Sequence, residues 1–381
     1  MAHSQLIIVE SPSKARTIER YLGKEFKVLA CNGHVKDLPG SKLGIDIEND
    51  FAVQYEVLPD KKKVVNTLKK SASKASSIFI ATDPDREGEA IAWHIKDILK
   101  LNNDNYERVV FSEITKKAVL ASFDNPRKIN NQLLYAYMAR RTLDRIIGFK
   151  FSPILWRSQG NRKLSVGRVQ SVALKIVADR EKEIHNFESK SIYKGSAIFT
   201  IKNSKIKAKL DFEIKDEDKV LNFLKTAKSA DYFIDDITTK TRSKSPSPPF
   251  ITSTLQQEAS YKLGFGVQRT MSLAQSLYQK GKITYMRTDS TNLSNQAIND
   301  AKSLIEKDFG LKYSSPKNYS SKSKSAQEAH EAIRPTELKK QIPEDCNDDE
   351  IKLYNLIWKR MIASQMVNAK IEDVKLFISD K

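Results

Sequence analysis

Short apolar runs alternate with amphipathic stretches over the first 130 residues. Residues 6–9 precede an amphipathic stretch at 15–22, and residues 77–81 precede another at 89–99. This rhythm is typical of βα units, in which helices cover a parallel sheet. We therefore predict an α/β domain at the start of the chain.

Over residues 130–184 the apolar residues instead recur at the spacing of a helix. One apolar stripe of the helical segment contains Val169, Val172, Ala173, Ile176 and Val177. Residues 196–201 and 207–212 are strand-like and rich in lysine, which predicts a β-containing domain with a solvated face. The run SKSPSPP at 243–249 disfavours a helix, so we place a domain boundary near Ser245.

Beyond this boundary the pattern predicts two helices and a strand. Thr254 and Gln257 have the spacing of a capping box before a helix that ends at Gly264, and a second helix ends at Gly281. Residues 283–288 are expected to form a strand.

A loop and a short helix are expected after this strand. The stretch 314–325 is rich in serine and lysine and predicts a mobile loop, and residues 326–333 predict a short helix before Pro335.

Composition bounds the class of protein. A chain of 381 residues is longer than a single hydrophobic core usually supports, so we expect two to four domains. No apolar run is long enough to span a membrane, and the start does not resemble a signal peptide, so the cytoplasm is the expected location. Cys31 and Cys346 form no CxxC pair, which argues against a disulfide framework.

The charge balance indicates a polyanionic partner. Sixty-five Lys and Arg against 47 Asp and Glu give a net charge of +18. Phosphate backbones are the commonest partner of such an excess, so nucleic acid is the leading class. A merely lysine-rich, solvated surface is the alternative that charge leaves open.

Acidic residues follow two of the predicted strands. Asp83, Asp85 and Glu87 come after the apolar run 77–81, and Glu10 comes after the run 6–9. Carboxyl ends of parallel strands share one edge, where ligands bind, and crowded carboxylates attract a hard cation such as Mg²⁺. The alternative is a solvated acidic turn at the start of a helix.

A tyrosine and an arginine lie two residues apart in KITYMRTDS. In a strand, Tyr285, Arg287 and Asp289 project from one face. A tyrosine oxygen that attacks phosphorus needs a cation to stabilise the phosphate, and a guanidinium supplies it. Packing of the tyrosine beside a surface charge is the alternative.

Dispersed segments resemble the bacterial type IA DNA topoisomerases. VESPSKARTI and ATDPDREGEAIAW resemble the signature segments of their Toprim domain. ITYMRTDS, flanked by PPFITSTLQQEAS and AQEAHEAIRP, resembles their nucleophile region. ARRTLDRIIGF and LSVGRVQSVAL resemble the helical domain that holds single-stranded DNA, although Phe149 stands where the family commonly has tyrosine.

The resemblance implies a role for each site residue. Tyr285 would be the covalent nucleophile, Glu10 would serve acid/base chemistry, Lys14 would contact the scissile phosphate and Arg287 would stabilise it. Asp83, Asp85 and Glu87, with Glu10, would hold Mg²⁺. The implied DNA-binding residues are His34, Arg140, Arg141, Asp144, Arg168, Asp289 and His330.

The resemblance also implies the domain plan. A Toprim (Rossmann-like) α/β domain would span 1–128, with a short excursion near 35–60 into the helical domain. The remaining parts would be the helical strand-binding domain at 129–187, the first part of a β-rich arch at 188–245, the catalytic tyrosine domain at 246–370 and a return towards the arch at 371–381.

The implied enzyme is a monomeric, ATP-independent topoisomerase of the bacterial cytoplasm and nucleoid. It would cut one strand at a single-stranded region of negatively supercoiled DNA through a 5′-phosphotyrosine, pass a strand and reseal; no P-loop motif for ATP occurs. A Toprim nuclease or primase, and a basic single-strand-binding fragment, remain alternatives. Val374, Leu376 and Ile378 alternate as in a strand near the last residue, so we expect weaker plasmid relaxation than from a longer family chain.

Overall fold

The computed structural model describes residues 5–319 and 331–380. The chain forms two compact units: Met1–Arg168 with Pro246–Val367, and Val169–Ser245 with Asn368–Lys381. Each unit is therefore assembled from segments that are distant in sequence. None of the described helices combines the length and apolar content needed to cross a bilayer.

The strands and helices have the following bounds within the described residues. The strands are β1 (Gln5–Val9), β2 (Phe26–Ala30), β3 (Lys36–Asp37), β4 (Ile45–Asp46), β5 (Ala52–Val53), β6 (Glu56–Val57), β7 (Ser77–Ile80), β8 (Glu107–Arg108), β9 (Ser196–Ile201), β10 (Ser204–Lys209), β11 (Tyr232–Lys244) and β12 (Ala369–Asp380). The helices are α1 (Pro12–Glu19), α2 (Lys62–Ala72), α3 (Arg86–Ile98), α4 (Lys116–Asp124), α5 (Asn131–Gln159), α6 (Arg168–His185), α7 (Glu217–Ser229), α8 (Thr252–Leu263), α9 (Val267–Gln279), α10 (Asn295–Asp308) and α11 (Asp348–Ser364).

A parallel sheet lies at the centre of the first unit. Its strand order is β2-β1-β7-β8, and each neighbouring pair is parallel. The side chains of residues 6–9 in β1 are all buried, as expected for a strand covered on both faces. The α/β expectation is confirmed, and the carboxyl ends of β1 and β7 meet at one edge of the sheet.

Side-chain caps start the two helices that follow this edge. Ser11 Oγ accepts a hydrogen bond from the Lys14 amide at 3.2 Å, and Pro12 occupies the first turn of α1. Asp85 Oδ1 accepts from the Gly88 amide at 2.8 Å at the start of α3. Each cap satisfies a backbone N–H that has no partner inside the helix, which fixes where the helix begins.

One hydrophobic core joins the sheet to the segment around Tyr285. It contains Ile7 and Val9 of β1, Leu277 of α9, Tyr285 and Trp358 of α11. The helices α8 to α11 therefore share their core with the sheet, so Tyr285 is held by packing against the edge that carries the acidic residues.

The predicted strand at 283–288 is wrong. Ile283 makes only an isolated bridge to Pro335, and the next backbone amides bond to unrelated parts of the chain. The Thr284 amide donates to Arg334 at 2.9 Å, whereas the Tyr285 amide donates to Ser112 at 2.8 Å. Because no single neighbouring strand supplies these acceptors, the segment is irregular.

Two helix predictions in the same region also need correction. The helix α8 begins at Thr252, so Thr254 lies inside its first turn, where its hydroxyl accepts from the Ile251 amide. The expected end at Gly264 is confirmed, with φ of 67° there. Residues 331–333 are not helical, because Ile333 instead bridges Phe250; residues 326–330 of that predicted helix lie outside the described part of the chain.

The second unit contains two antiparallel pairs. β9 pairs with β10 in a hairpin, and β11 pairs with β12 along their lengths with an irregularity between Ile234 and Asp236. The lysine-rich strand therefore spans 204–209 rather than 207–212. The apolar stripe of α6 is largely exposed in this unit, with Val169 66% and Ile176 66% accessible.

Candidate active site

The turn after β7 carries the acidic residues in a fixed backbone. The fully buried Arg108 guanidinium donates to the Thr82 carbonyl and to the Asp83 carbonyl, at 2.9 Å in each case. A Cβ added to Gly88 would lie 2.1 Å from the Asp83 carbonyl oxygen, so only glycine permits this close approach. The turn is thus positioned by groups that do not themselves face the site.

Glu10 and Asp83 lie together at the shared edge of β1 and β7. Glu10 Oε1 accepts from the Asp83 amide at 2.8 Å, and the Lys14 ammonium lies 2.9 Å from Asp83 Oδ1. Burial and then the Asp83 charge raise the pKa of Glu10 well above its usual range. Burial also acts to raise the pKa of Asp83, but the Lys14 charge and the Glu10 hydrogen bond outweigh it, and the pKa is lowered. Burial and the Asp83 charge therefore favour the protonated form of Glu10, whereas Lys14 favours the ionised form of Asp83.

Tyr285 points at this acidic turn from the adjoining segment. Its hydroxyl donates to Asp85 Oδ2 at 2.6 Å, and the side chain is 2% exposed. Burial, followed by the charges of Asp83 and Asp85, raises the pKa of Tyr285 far above its usual range. The phenol is therefore neutral, and a carboxylate oxygen is already in place to take its proton.

Arg287 links the tyrosine to the acidic turn. Its guanidinium lies 3.0 Å from Glu87 and 3.6 Å from Asp85, and its side chain is half exposed. His34 Nε2 lies 3.5 Å from the other oxygen of Glu87. The hydrogen bond from His34 and the charge of Arg287 outweigh burial and lower the pKa of Glu87 to about 2. A solvent-accessible cation thus stands beside Tyr285.

An open pocket adjoins Arg287. It has a volume of about 430 Å³, and its lining includes His34, Arg140, Arg141 and Asp144. Arg140 lies 3.8 Å from Asp144, which also accepts from Arg168 at 2.7 Å. The structure therefore brings most of the predicted strand-binding residues to the mouth of the site.

Some predicted site residues stand apart from this pocket. Asp289 is half-buried and is not among the residues that line it. His330 lies outside the described residues. The shared face predicted for Tyr285, Arg287 and Asp289 depended on a strand that does not form; the contacts with the acidic turn are made by Tyr285 and Arg287.

The acidic residues are directed to different partners. Asp83 meets Lys14, Asp85 meets Tyr285, and Glu87 meets His34 and Arg287. Within residues 5–319 and 331–380, no group of three or more His, Cys, Asp or Glu side chains is arranged around a common metal position. The carboxylate oxygens are nevertheless ligands of the kind that Mg²⁺ prefers.

Sequence reasoning missed several residues that position the site. Glu89 is fully buried and bonds Arg108, Arg127 and the Asn130 amide, which ties the acidic turn to the start of α5. Asp37 accepts hydrogen bonds from Nε and Nη2 of Arg141, at 2.7 Å for the closest contact. The signal available in the sequence for Glu89 was an acidic residue on the largely apolar, buried face of α3. No comparable signal marked Asp37.

The chain matches models of two families. Residues 128–381 match the DNA topoisomerase family, and residues 5–114 match the Toprim domain. The chain is 45% identical over 406 aligned residues to DNA topoisomerase 1 of Rickettsia bellii, covering 99% of this chain and 50% of the relative. It is 46% identical to DNA topoisomerase 1 of Rickettsia felis, covering 96% of this chain and 50% of that protein.

A solved structure supports the same assignment. Full-length topoisomerase I from Thermotoga maritima matches with a TM-score of 0.84 and 42% identity, over 98% of this chain and 63% of that one. The chain thus spans about half the length of the curated relatives it matches. With a Toprim sheet whose acidic edge faces a buried tyrosine, the chain belongs to the bacterial type IA DNA topoisomerases.

Proposed function

We propose that this chain cuts and rejoins single-stranded DNA through Tyr285. The observation that carries the proposal is the 2.6 Å hydrogen bond from the Tyr285 hydroxyl to Asp85, with the Arg287 cation 3.6 Å from the same oxygen. A buried tyrosine whose proton acceptor also lies near an accessible guanidinium is suited to attack a phosphodiester.

The cleavage step balances with the groups that surround the tyrosine. The bond from the Tyr285 oxygen to phosphorus forms as the bond from phosphorus to the 3′ oxygen breaks. The Tyr285 proton moves to Asp85, and the departing 3′ oxygen takes a proton from Glu10, whose protonated form is favoured by burial and by the Asp83 charge. Resealing reverses both transfers, so the phosphodiester energy is conserved and ATP is not needed.

Lys14 and Arg287 supply positive charge to the phosphate. Lys14 is buried against Asp83, and Arg287 is half exposed above the acidic turn. Cations placed where negative charge develops lower the barrier to phosphoryl transfer. Both side chains must therefore exchange a carboxylate partner for a phosphate oxygen when DNA binds.

Glu10, Asp83, Asp85 and Glu87 would hold Mg²⁺, which would add positive charge next to the scissile phosphate. The donor set supports this, because carboxylate oxygens are the ligands that Mg²⁺ prefers. The side chains would have to leave their present protein partners to converge on the ion.

The DNA strand would run through the pocket beside Arg287. Arg140, Arg141 and Arg168 lie along α5 and at the start of α6, with Asp37 and Asp144 holding their guanidinium groups. Arginine contacts to phosphates position a strand without selecting its sequence. His34 borders the same pocket, whereas Asp289 and His330 are kept as proposed DNA contacts on the resemblance alone.

The parts of the chain are proposed to follow the family plan. Residues 1–128 would be the Toprim domain, with 129–187 and 188–245 as the first parts of the helical and arch domains. Residues 246–370 would carry the tyrosine, and 371–381 would return to the arch. The contact of Asp37 with Arg141 of α5 supports an excursion near 35–60 towards the helical domain.

We propose that the full-length protein relaxes negatively supercoiled DNA as a monomer in the bacterial cytoplasm. The basic charge and the named relatives support DNA as the partner. Because this chain spans about half the length of the relatives it matches, we propose strand passage for a chain of the relatives' length.

The test uses a single-stranded oligonucleotide that carries different labels at its 5′ and 3′ ends. The products are separated on denaturing gels. We expect a protein-linked 5′ end with the unaltered chain and none with Tyr285→Phe, which should still bind the oligonucleotide. Free ends would identify a nuclease, and intact DNA would identify a simple binder. A covalent adduct formed by Tyr285→Phe would exclude Tyr285 as the nucleophile.

A further inference from the structure

The acidic turn carries a cation of its own, Arg86. This residue stands between Asp85 and Glu87 and is the first residue of α3. It lines the same open pocket as Arg287, and it is half-buried there. A further arginine therefore borders the proposed path of the DNA strand, next in sequence to the residue that bonds Tyr285.

The guanidinium of Arg86 forms no ion pair or hydrogen bond with any of residues 5–319 and 331–380. A guanidinium carries five N–H donors and stays charged in proteins, and its planar shape suits a phosphate group. The charge and the donors of this half-buried side chain are thus unused within the described part of the chain. A ligand with negatively charged oxygens would satisfy both.

The other arginines in the lining of this pocket are already held by carboxylates. The pairs are Arg140 with Asp144 at 3.8 Å, Arg141 with Asp37 at 2.7 Å and Arg287 with Glu87 at 3.0 Å. A phosphate that binds one of these arginines competes with a carboxylate that is in place, which offsets much of the attraction. Arg86 would bind a phosphate without giving up such a partner.

This difference persists when Mg²⁺ is bound at the acidic residues. Arg287 would then be free of the Glu87 carboxylate and available to the scissile phosphate. Arg140 and Arg141 would keep their carboxylate partners, which lie outside the turn. Arg86 has no partner to lose among the described residues, so its charge is available to DNA with or without the ion.

We propose that Arg86 binds a DNA phosphate next to the scissile one and so holds the strand in register at Tyr285. Its place in the turn supports this position, because Asp85 before it accepts from the Tyr285 hydroxyl and Glu87 after it meets Arg287. A contact with phosphate positions the strand without selecting a base. The inference rests on the proposed cleavage by Tyr285.

The first test measures how salt weakens the binding of a single-stranded oligonucleotide. Every chain carries Tyr285→Phe, so that no adduct forms, and Mg²⁺ is present throughout. Arg86→Gln should weaken binding about tenfold at low salt, because hydrogen bonds to a charged group are lost. The slope of log affinity against log salt should become shallower by about 0.7, the value for one phosphate contact on a single strand. Arg86→Lys should restore the slope, because the ammonium keeps the charge.

Arg20→Gln is the matched control. Arg20 is exposed at the end of α1, does not line the pocket, and its guanidinium also bonds to none of the described residues. This variant removes the same charge and should leave the slope unchanged. The melting temperature should change by no more than about 1 °C in either variant, because neither loses a bond within the described part of the protein. The proposal is overturned if Arg86→Gln keeps the slope of the control, or if it lowers the melting temperature beyond this range.

A second test locates the phosphate that Arg86 contacts. The cut is mapped with the unaltered chain, and a neutral methylphosphonate then replaces each phosphate beside it in turn. One of these replacements should weaken binding when Arg86 is present and should not weaken it further in Arg86→Gln, because both changes remove the same contact. Additive losses at both neighbouring phosphates would contradict the proposal. Absence of any adduct with the unaltered chain would instead refute the proposed function, and the salt slope would still decide whether Arg86 binds a phosphate.

Discussion

Replacing Arg108 by methionine should destabilise the first unit severely. Arg108 is completely buried and bonds Glu89 at 3.0 Å as well as the carbonyls of Ile80, Thr82, Asp83 and Val109. Methionine matches part of its volume but supplies no donor. Glu89 keeps Arg127 and the Asn130 amide, so it loses one of two cations in a completely buried position.

The magnitude follows from the cost of breaking a buried ion pair. Removing one partner lowers the free energy of unfolding by about 3–5 kcal/mol. A folded unit of this size loses about 2 °C of melting temperature for each kcal/mol. We therefore expect Arg108→Met to melt about 6–10 °C below the unaltered chain.

Tryptophan fluorescence provides a selective assay. Trp93, Trp156 and Trp358 are the tryptophans of this chain, and all three belong to the first unit. A fluorescence melt therefore follows the unit that contains Arg108. Arg180→Met is the control, because Arg180 forms an exposed pair with Glu183 in the second unit and should leave the melt unchanged.

A double variant sharpens the argument. Arg108→Met with Glu89→Met removes both buried charges, so neither is left facing an absent partner. Its destabilisation should fall short of the sum of the two single effects by about 1–3 kcal/mol. Additive effects, or a melting temperature of Arg108→Met within about 2 °C of the unaltered chain, would refute this account of the turn.

Two further predictions concern the acidic site and a buried histidine. Asp83→Asn with Asp85→Asn should raise the Mg²⁺ concentration needed for half-maximal cleavage while oligonucleotide binding is retained; an unchanged Mg²⁺ titration would count against these carboxylates as ligands. Burial and the nearby His34 lower the pKa of His94 from 6.5 to about 3, so its folded form binds the proton more weakly than its unfolded form. The contribution of neutral His94 to the free energy of unfolding is therefore fully present above pH 6.5 and is lost as the pH falls towards 3. At pH 5 the free energy of unfolding should be lower by about 2 kcal/mol than at neutral pH. Fluorescence melts at pH 7 and 5 should show a smaller drop for His94→Leu than for the exposed control His185→Leu, and equal drops would disprove the assignment.

Local patterns along the chain determined the elements that carry the site. Alternation of apolar and amphipathic stretches gave β1, α1, β7 and α3, because burial on a sheet and on a helix face imposes different periods. Ser11 and Pro12 marked the start of α1 for a similarly local reason, since a cap needs only residues within one turn. The clustering of acidic residues at one edge of the sheet was predictable because the carboxyl ends of parallel strands lie at the same edge.

Tertiary structure decided how Tyr285 is held. The segment 283–288 has the composition of a strand, but its amides find acceptors at Ser112 and Arg334, far away in sequence. Arg108 and Glu89 likewise gain their roles from contacts across the fold, and Tyr285 meets Asp85 across 200 positions. Residue types and their spacing specify local geometry. Hydrogen-bond partners that are far apart in sequence depend on how the whole unit packs, because only packing brings them within hydrogen-bond distance.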